Sequence, residues 1–110
     1  MKITILLKSP PCSDEAGRAL LMAEDMLSQG HSVNLYLLQE AVRLCWPANK
    51  CSHFEDLKKL TQKDLKVHVL TKDAQLRGLN LASIADGISE GSYDSLVDLM
   101  ESCDRVIGIL

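Results

Sequence analysis

The sequence lacks a long apolar run. Its apolar stretches end within about eight residues, whereas a helix that crosses a bilayer needs about 20. The N-terminus also lacks the apolar region and cleavage site of a secretory signal peptide. We therefore expect no association with a membrane and a cytoplasmic location.

The chain also lacks a surplus of basic residues and the common nucleotide motifs. Its net charge is −3 and its pI is about 5.5, which argues against a general binder of nucleic acids or anionic lipids. The motifs G-x-G-x-x-G, G-x4-G-K-[ST] and G-x-S-x-G are all missing. The sequence therefore gives no support for dinucleotide binding, triphosphate binding or a nucleophile-elbow hydrolase, and no cofactor is predicted.

What is present is an alternation of strand-like and helix-like segments. With 110 residues, of which 46% are hydrophobic and 25% charged, the chain is predicted to form one domain over residues 1–110. The predicted strands are 2–8, 32–38, 65–70, 84–88 and 105–110, and the predicted helices are 13–27, 39–45, 53–62, 71–75 and 92–102. This order predicts the α/β class, and its first βαβ unit predicts parallel strands.

Two helices carry clear signals in the sequence. Ser13 is a predicted N-cap of the first helix, and Gly30 is its predicted stop. In the last helix, the residues predicted to face inward are Tyr93, Leu96, Val97 and Met100.

The loops that follow parallel strands gather at one edge of a sheet, and reactive sites lie there. The rule places Cys12, Cys45, Cys51 and the loop 71–78 at a common edge. Cys103 precedes the last strand, so it is predicted at the opposite edge as a small core residue. All four cysteines are expected to be free thiols, because a cytoplasmic chain is kept reduced.

Cys12 has the strongest chemical case among the thiols. It lies at the start of a helix, whose positive end stabilises a thiolate, although Asp14 and Glu15 oppose that effect. The alternative is that Pro10 and Pro11 stiffen the loop and that Cys12 merely fills a gap.

Histidines offer weaker candidates. Cys45, Cys51 and His53 form C-x5-C-x-H, which is wider than the usual spacing of zinc ligands, so they are weak candidates for a metal site. His68 lies within a predicted strand, either as a packed core histidine or as a proton donor near a sulfur site.

Four segments together carry a resemblance to a known family. The first is the opening strand followed by Ser9-Pro10-Pro11-Cys12-Ser13-Asp14-Glu15, which is similar to a G-x-P-Y-G-[ST]-E loop. The others are the second strand running into residues 39–42, the strand and loop 65–78 that ends in Arg-Gly, and residues 84–88 followed by a helix and a closing D-[KR]-V strand at 103–107. The chain resembles the DsrE/DsrF-like family, which includes the TusD-type and YchN-type sulfur-relay proteins.

The resemblance implies a three-layer α/β sandwich with a mostly parallel five-stranded sheet that assembles into dimers, trimers or hexamers. In active members, a cysteine at the end of the third strand passes sulfur as a persulfide between partner proteins. Here the corresponding residues 68–73 contain no cysteine. The residues that we expect beside the thiols at this edge are Ser13, His68, Thr71, Lys72, Arg77 and Gly78.

Three functions remain open at this point. The chain is a sulfur carrier or sulfurtransferase-like protein that uses Cys12, with Cys51 and Cys45 as the next candidates. Alternatively, it is a subunit without chemistry, which contacts copies of itself and sulfur-relay partners. The third possibility is a metal-binding or redox-sensing domain. The sequence does not decide whether the protein is an enzyme.

Overall fold

The computed structural model describes residues 1–46 and 52–109. Within them the strands are β1 (Lys2–Leu7), β2 (Ser32–Leu37), β3 (Lys66–Leu70), β4 (Ile88–Gly91) and β5 (Arg105–Ile109). The helices are α1 (Asp14–Ser28), α2 (Ser52–Thr61), α3 (Thr71–Leu76) and α4 (Tyr93–Ser102), with 3-10 segments at Gln39–Cys45 and Leu81–Ser83.

The strands form a single parallel sheet in the order β4-β3-β2-β1-β5 within the described part of the chain. The predicted α/β fold with a mostly parallel five-stranded sheet is therefore confirmed. Three connections step in one direction across the sheet, whereas the connection from β4 to β5 returns across it. Because such crossovers are right-handed, the returning helix α4 lies on the face opposite to α1, and the result is a three-layer sandwich.

The core lies between the sheet and helix α1. Successive strand residues point to opposite faces, and Ile3, Ile5 and Leu7 of β1 point to this core with almost no exposed surface. The side chains of Ala16 and Ala19 on α1 meet them, and small residues at these positions let the helix approach closely.

The opposite face of the sheet is more polar. Tyr36 of β2 is 1% exposed, and its hydroxyl donates to the carbonyl of Ser92 at 3.0 Å and lies 3.1 Å from Ser95 Oγ. Ser92 is also the N-cap of α4, in a capping box with Ser95. The phenol thus fixes the start of α4 above the sheet.

The fourth predicted strand, 84–88, is misplaced. The strand begins only at Ile88, because the amide of Ala85 donates to the carbonyl of Cys45 at 2.9 Å and Gly87 adopts a φ of +82°. A long-range hydrogen bond and a left-handed turn therefore replace the predicted pairing.

The predicted orientation of α4 is also wrong in part. Tyr93 is 59% exposed, Val97 50% and Met100 37%, whereas Leu96 is partly buried. Another side of α4 faces the sheet, and three of the four residues predicted to face inward, Tyr93, Val97 and Met100, lie on the surface.

In the described residues, no helix is both long enough and apolar enough to cross a membrane.

We expect Gly91→Ala to destabilise the protein. A Cβ at Gly91 would collide with the Tyr36 hydroxyl and lie 3.0 Å from Ser95 Oγ, and these side chains fix α4. Overpacking of this kind costs about 1–3 kcal/mol, measurable by urea unfolding. Ser89→Ala on the exposed part of the same strand is the control, and a Gly91→Ala protein as stable as that control would contradict the packing described here.

Candidate functional site

The loop after β1 holds Cys12 at the carboxyl edge of the sheet. Ser13 is the N-cap of α1, as predicted: its Oγ accepts from the amide of Ala16 at 3.2 Å. The same hydroxyl donates to the carbonyl of Pro10 at 2.6 Å. These two bonds tie the loop to the helix, and Cys12 is exposed between them.

Cys12 is disulfide-bonded, so the prediction of a free thiol is wrong for this residue. That prediction was based on the redox state of the compartment, which says nothing about which sulfurs the fold brings together. Cys51, the second candidate thiol, lies outside the described residues.

His53 of α2 contacts the same loop. Its Nδ1 lies 2.8 Å from the carbonyl oxygen of Pro11, and because a carbonyl only accepts, Nδ1 carries the proton. A Cβ at Gly17 would lie 3.1 Å from His53 Nε2, so the ring rests on the first turns of α1. The imidazole therefore braces the backbone next to Cys12.

The other two cysteines are free thiols. Cys45 is fully buried in the core, and burial raises the pKa of its thiol well above the ordinary value, which disfavours the reactive thiolate. Cys103 follows α4 and lies two residues before β5, at the end of the sheet where it was predicted. It is only partly buried, however, with its Sγ 3.3 Å from the carbonyl oxygens of Met100 and Arg105.

His68 lies in the middle of β3. Its ring stacks on Tyr36 at a centroid distance of 5.4 Å, and its Nε2 lies 3.2 Å from Asn34 Oδ1. Burial, and after it the charge of Lys66, lowers the pKa of His68. These contacts are those of a packed strand histidine.

A charged cluster at the carboxyl edge was missed in the sequence. Glu40 accepts from Arg43 Nε and from Arg77 Nε, each at 2.8 Å. Arg77 also donates to the carbonyl of Asp73, and the carboxylate of Asp73 accepts from the amide of Gln39 at 2.7 Å. Arg77, one of the predicted edge residues, thus pairs with Glu40. The sequence gives no local signal for these contacts, because the paired residues are separated by 34 or 37 positions along the chain.

A helix follows β3 directly, as the sequence predicts for residues 71–75. Thr71 is the first residue of α3, Lys72 is exposed, and Gly78 has a φ of +69° just beyond the helix. At this end of β3 the side chains are a hydroxyl, an ammonium and a buried carboxylate, and none is a thiol.

Metal ligands do not converge in the part of the chain that the structure describes: no group of three His, Cys, Asp or Glu side chains could hold an ion there. His53, one of the weak candidates, is bonded to Pro11 instead, and Cys45 is in the core.

Family comparison agrees with this architecture. The model of the DsrH-like proteins matches residues 12–106, and the chain belongs to this family. A search of curated proteins finds no match.

Solved structures share the fold over nearly their whole length. The ychN protein from E. coli matches with a TM-score of 0.90 at 23% identity, covering 98% of each chain. A protein of unknown function from Bacteroides thetaiotaomicron, BT1422, matches with a TM-score of 0.81 at 17% identity over 98% of this chain and 94% of its own. MTH1491 from Methanobacterium thermoautotrophicum, also of unknown function, gives 0.73 at 11% identity over 97% of each.

We expect Glu40→Gln to make the stability of the protein less dependent on acid pH. Hydrogen bonds from Arg43, and then from Arg77, lower the pKa of Glu40 below the ordinary 4.5. A lowered folded-state pKa stabilises the protein above about pH 4.5, and that contribution disappears as the pH falls through the folded value.

Urea unfolding at a series of pH values measures this effect, and carboxyl NMR reports the pKa of Glu40 directly. Glu24→Gln, on the exposed side of α1, is the control. Equal acid dependence in the Glu40→Gln and Glu24→Gln proteins would show that the cluster contributes nothing to stability.

Proposed function

We propose that this chain is a cytoplasmic sulfur-relay protein in which reduced Cys12 carries sulfur as a persulfide. The observation that carries the proposal is that Cys12 is exposed at the carboxyl edge of the sheet and already forms a sulfur–sulfur bond. Sulfur transfer needs such an accessible sulfur, and Cys45 in the core does not meet the requirement.

The chemistry has three balanced steps. A dithiol reductant first reduces the disulfide of Cys12 by two electrons and is itself oxidised to a disulfide. The Cys12 thiolate then attacks the outer sulfur of a donor persulfide, R–S–SH. A bond forms between Cys12 and that sulfur, the donor S–S bond breaks, and the donor leaves as a thiolate. An acceptor thiolate removes the outer sulfur from Cys12 in the same way.

The surroundings of Cys12 assist the second step. The residue stands just before the N-cap of a 15-residue helix, whose positive end favours a thiolate. Ser13 and His53 hold the loop through the carbonyls of Pro10 and Pro11, so the sulfur keeps its position when a partner approaches.

A second candidate function is a subunit of a sulfur-relay assembly that performs no chemistry. It is favoured by the end of β3, where residues 68–73 have no cysteine at the place where active members of the family carry sulfur. In either function we expect the chain to associate with copies of itself and with sulfur-relay partners.

Mass mapping separates the two functions. The reduced protein is incubated with inorganic polysulfide at neutral pH, and its peptides are analysed without further reduction. We expect one added sulfur atom on the peptide that contains Cys12, and its loss in Cys12→Ser.

Cys103→Ser removes a free thiol that is partly exposed, and it is the matched control, in which the sulfur on Cys12 should remain. A Cys12 peptide that stays unmodified, or a Cys12→Ser protein that takes up sulfur as before, would overturn the carrier and leave the subunit without chemistry.

A further inference from the structure

A cavity of about 340 Å³ opens between helix α2 and the segment that precedes β4. Phe54 and Leu57 line it from α2, and Ile84 and Ile88 line it from the other element. Leu57 belongs to the buried core, so the cavity reaches down to the core. Ligand sites in proteins are concave, mostly apolar and about 300–1,000 Å³ in volume. The size and lining of this cavity are therefore those of a site for a small molecule.

One charged side chain lines the cavity from each of its two elements. Lys58 follows Leu57 on α2, and Asp86 lies between Ile84 and Ile88 on the segment before β4. Within residues 1–46 and 52–109, neither side chain forms an ion pair, whether with the other or with a third residue. An ammonium and a carboxylate are thus both available at one apolar cavity.

Both elements that form the cavity are fixed by contacts with the core. The amide of Ala85 donates to the carbonyl of Cys45 at 2.9 Å, and Cys45 is fully buried. Helix α2 is anchored by Leu57 and Leu60, which are almost completely buried. A preformed site loses little conformational freedom when a ligand binds, which favours affinity.

The two charges decide which class of small molecule fits. An apolar anion would pair with Lys58 but would place its negative charge near Asp86, and an apolar amine would have the reverse conflict. Like charges in close contact are unfavourable. A molecule that carries one positive and one negative group beside an apolar side chain satisfies both residues.

We propose that this cavity binds a free α-amino acid with an apolar side chain, such as leucine or phenylalanine. Lys58 pairs with its carboxylate, Asp86 pairs with its ammonium group, and its side chain packs on Phe54. An apolar cavity of about 150 Å³ accommodates benzene, so a cavity of about 340 Å³ has room for the side chain and both charged groups. The inference concerns a site other than Cys12 and does not rest on the proposed sulfur carrier.

A series of probes tests the three parts of the ligand separately. Isotope-labelled protein is titrated with L-leucine and with L-phenylalanine and is followed by amide NMR. At least one of the two should give saturable shifts at Phe54, Lys58 and Asp86, with a Kd below about 1 mM. Glycine lacks the apolar side chain, the N-acetyl derivative of that amino acid lacks the ammonium, and its amide lacks the carboxylate. Each of these three probes should bind about tenfold more weakly or worse.

Two substitutions remove the charges and leave the apolar lining in place. Lys58→Met and Asp86→Asn should each weaken binding of the same amino acid by about tenfold or more, because each removes a charge-assisted hydrogen bond. Lys59→Met and Asp56→Asn are the matched controls, since these two exposed residues of α2 do not line the cavity. Both control proteins should bind like the parent, and melting curves verify that all four are folded.

Three results would each overturn the proposal. One is the absence of saturable shifts at the cavity with either amino acid at about 10 mM. Another is a comparison probe that binds as tightly as the amino acid; an N-acetyl derivative or an amide that did so would indicate a chain terminus or an apolar ion as the ligand. The last is a Lys58→Met or Asp86→Asn protein that binds like the parent. None of these results depends on sulfur uptake by Cys12.

Discussion

The parallel pairing of β1 with both β2 and β5 is the constraint on which the rest of the structure depends. Ile5 of β1 lies opposite Leu35 on one side and Ile107 on the other, so the last strand of the sheet must return to the first. That return forces α4 to cross the sheet from one edge to the other. The parallel pairing of β1 with β2 and of β2 with β3 places the carboxyl ends of these strands together, and with them the loop of Cys12 and the Glu40 cluster.

Local signals were sufficient for the first half of the fold. Ser13 caps α1 where its sequence context predicts, and the small residues Ala16 and Ala19 form the buried stripe. The fourth strand was beyond such signals, because residues 84–88 look more strand-like than the true strand Ile88–Gly91. The amide of Ala85 donates to the carbonyl of Cys45, 40 positions earlier, and this bond keeps Ala85 out of the strand. The composition of the segment gives no sign of such a long-range contact.

The candidate site was predictable in position but not in chemistry. The rule for parallel strands brings the correct loops to one edge, including those of Cys12 and Arg77. It does not say which side chains pair there. The disulfide of Cys12 depends on a distance between sulfurs, and the Glu40 cluster depends on arginines from two different elements. Contacts of this kind appear only when the chain is folded.

The apolar pattern of α4 does not predict how this helix packs on the sheet. A helix with an apolar side is normally assumed to turn it inward, and Tyr93, Val97 and Met100 satisfy that pattern. The sheet beneath α4, however, presents Tyr36, His68 and Asn34, which are already bonded or stacked with one another. Such a partly polar surface is matched by the serines of α4, as the hydrogen bonds of Tyr36 to Ser92 and Ser95 show.

The loops that follow β1 and β3 at the carboxyl edge of the sheet therefore differ in what they can do. After β3, helix α3 begins directly, and the carboxylate of Asp73 accepts a hydrogen bond from the amide of Gln39. The residues after β3 therefore hold the 3-10 segment after β2 in place. The loop after β1 leaves Cys12 exposed, and under the proposed function it takes over the role of sulfur carrier. The polar face beneath α4 leaves the apolar side chains of Tyr93, Val97 and Met100 on the surface. A single topological requirement, the return of β5 to β1, thus places α4 and its exposed apolar residues on the face of the sheet opposite to α1.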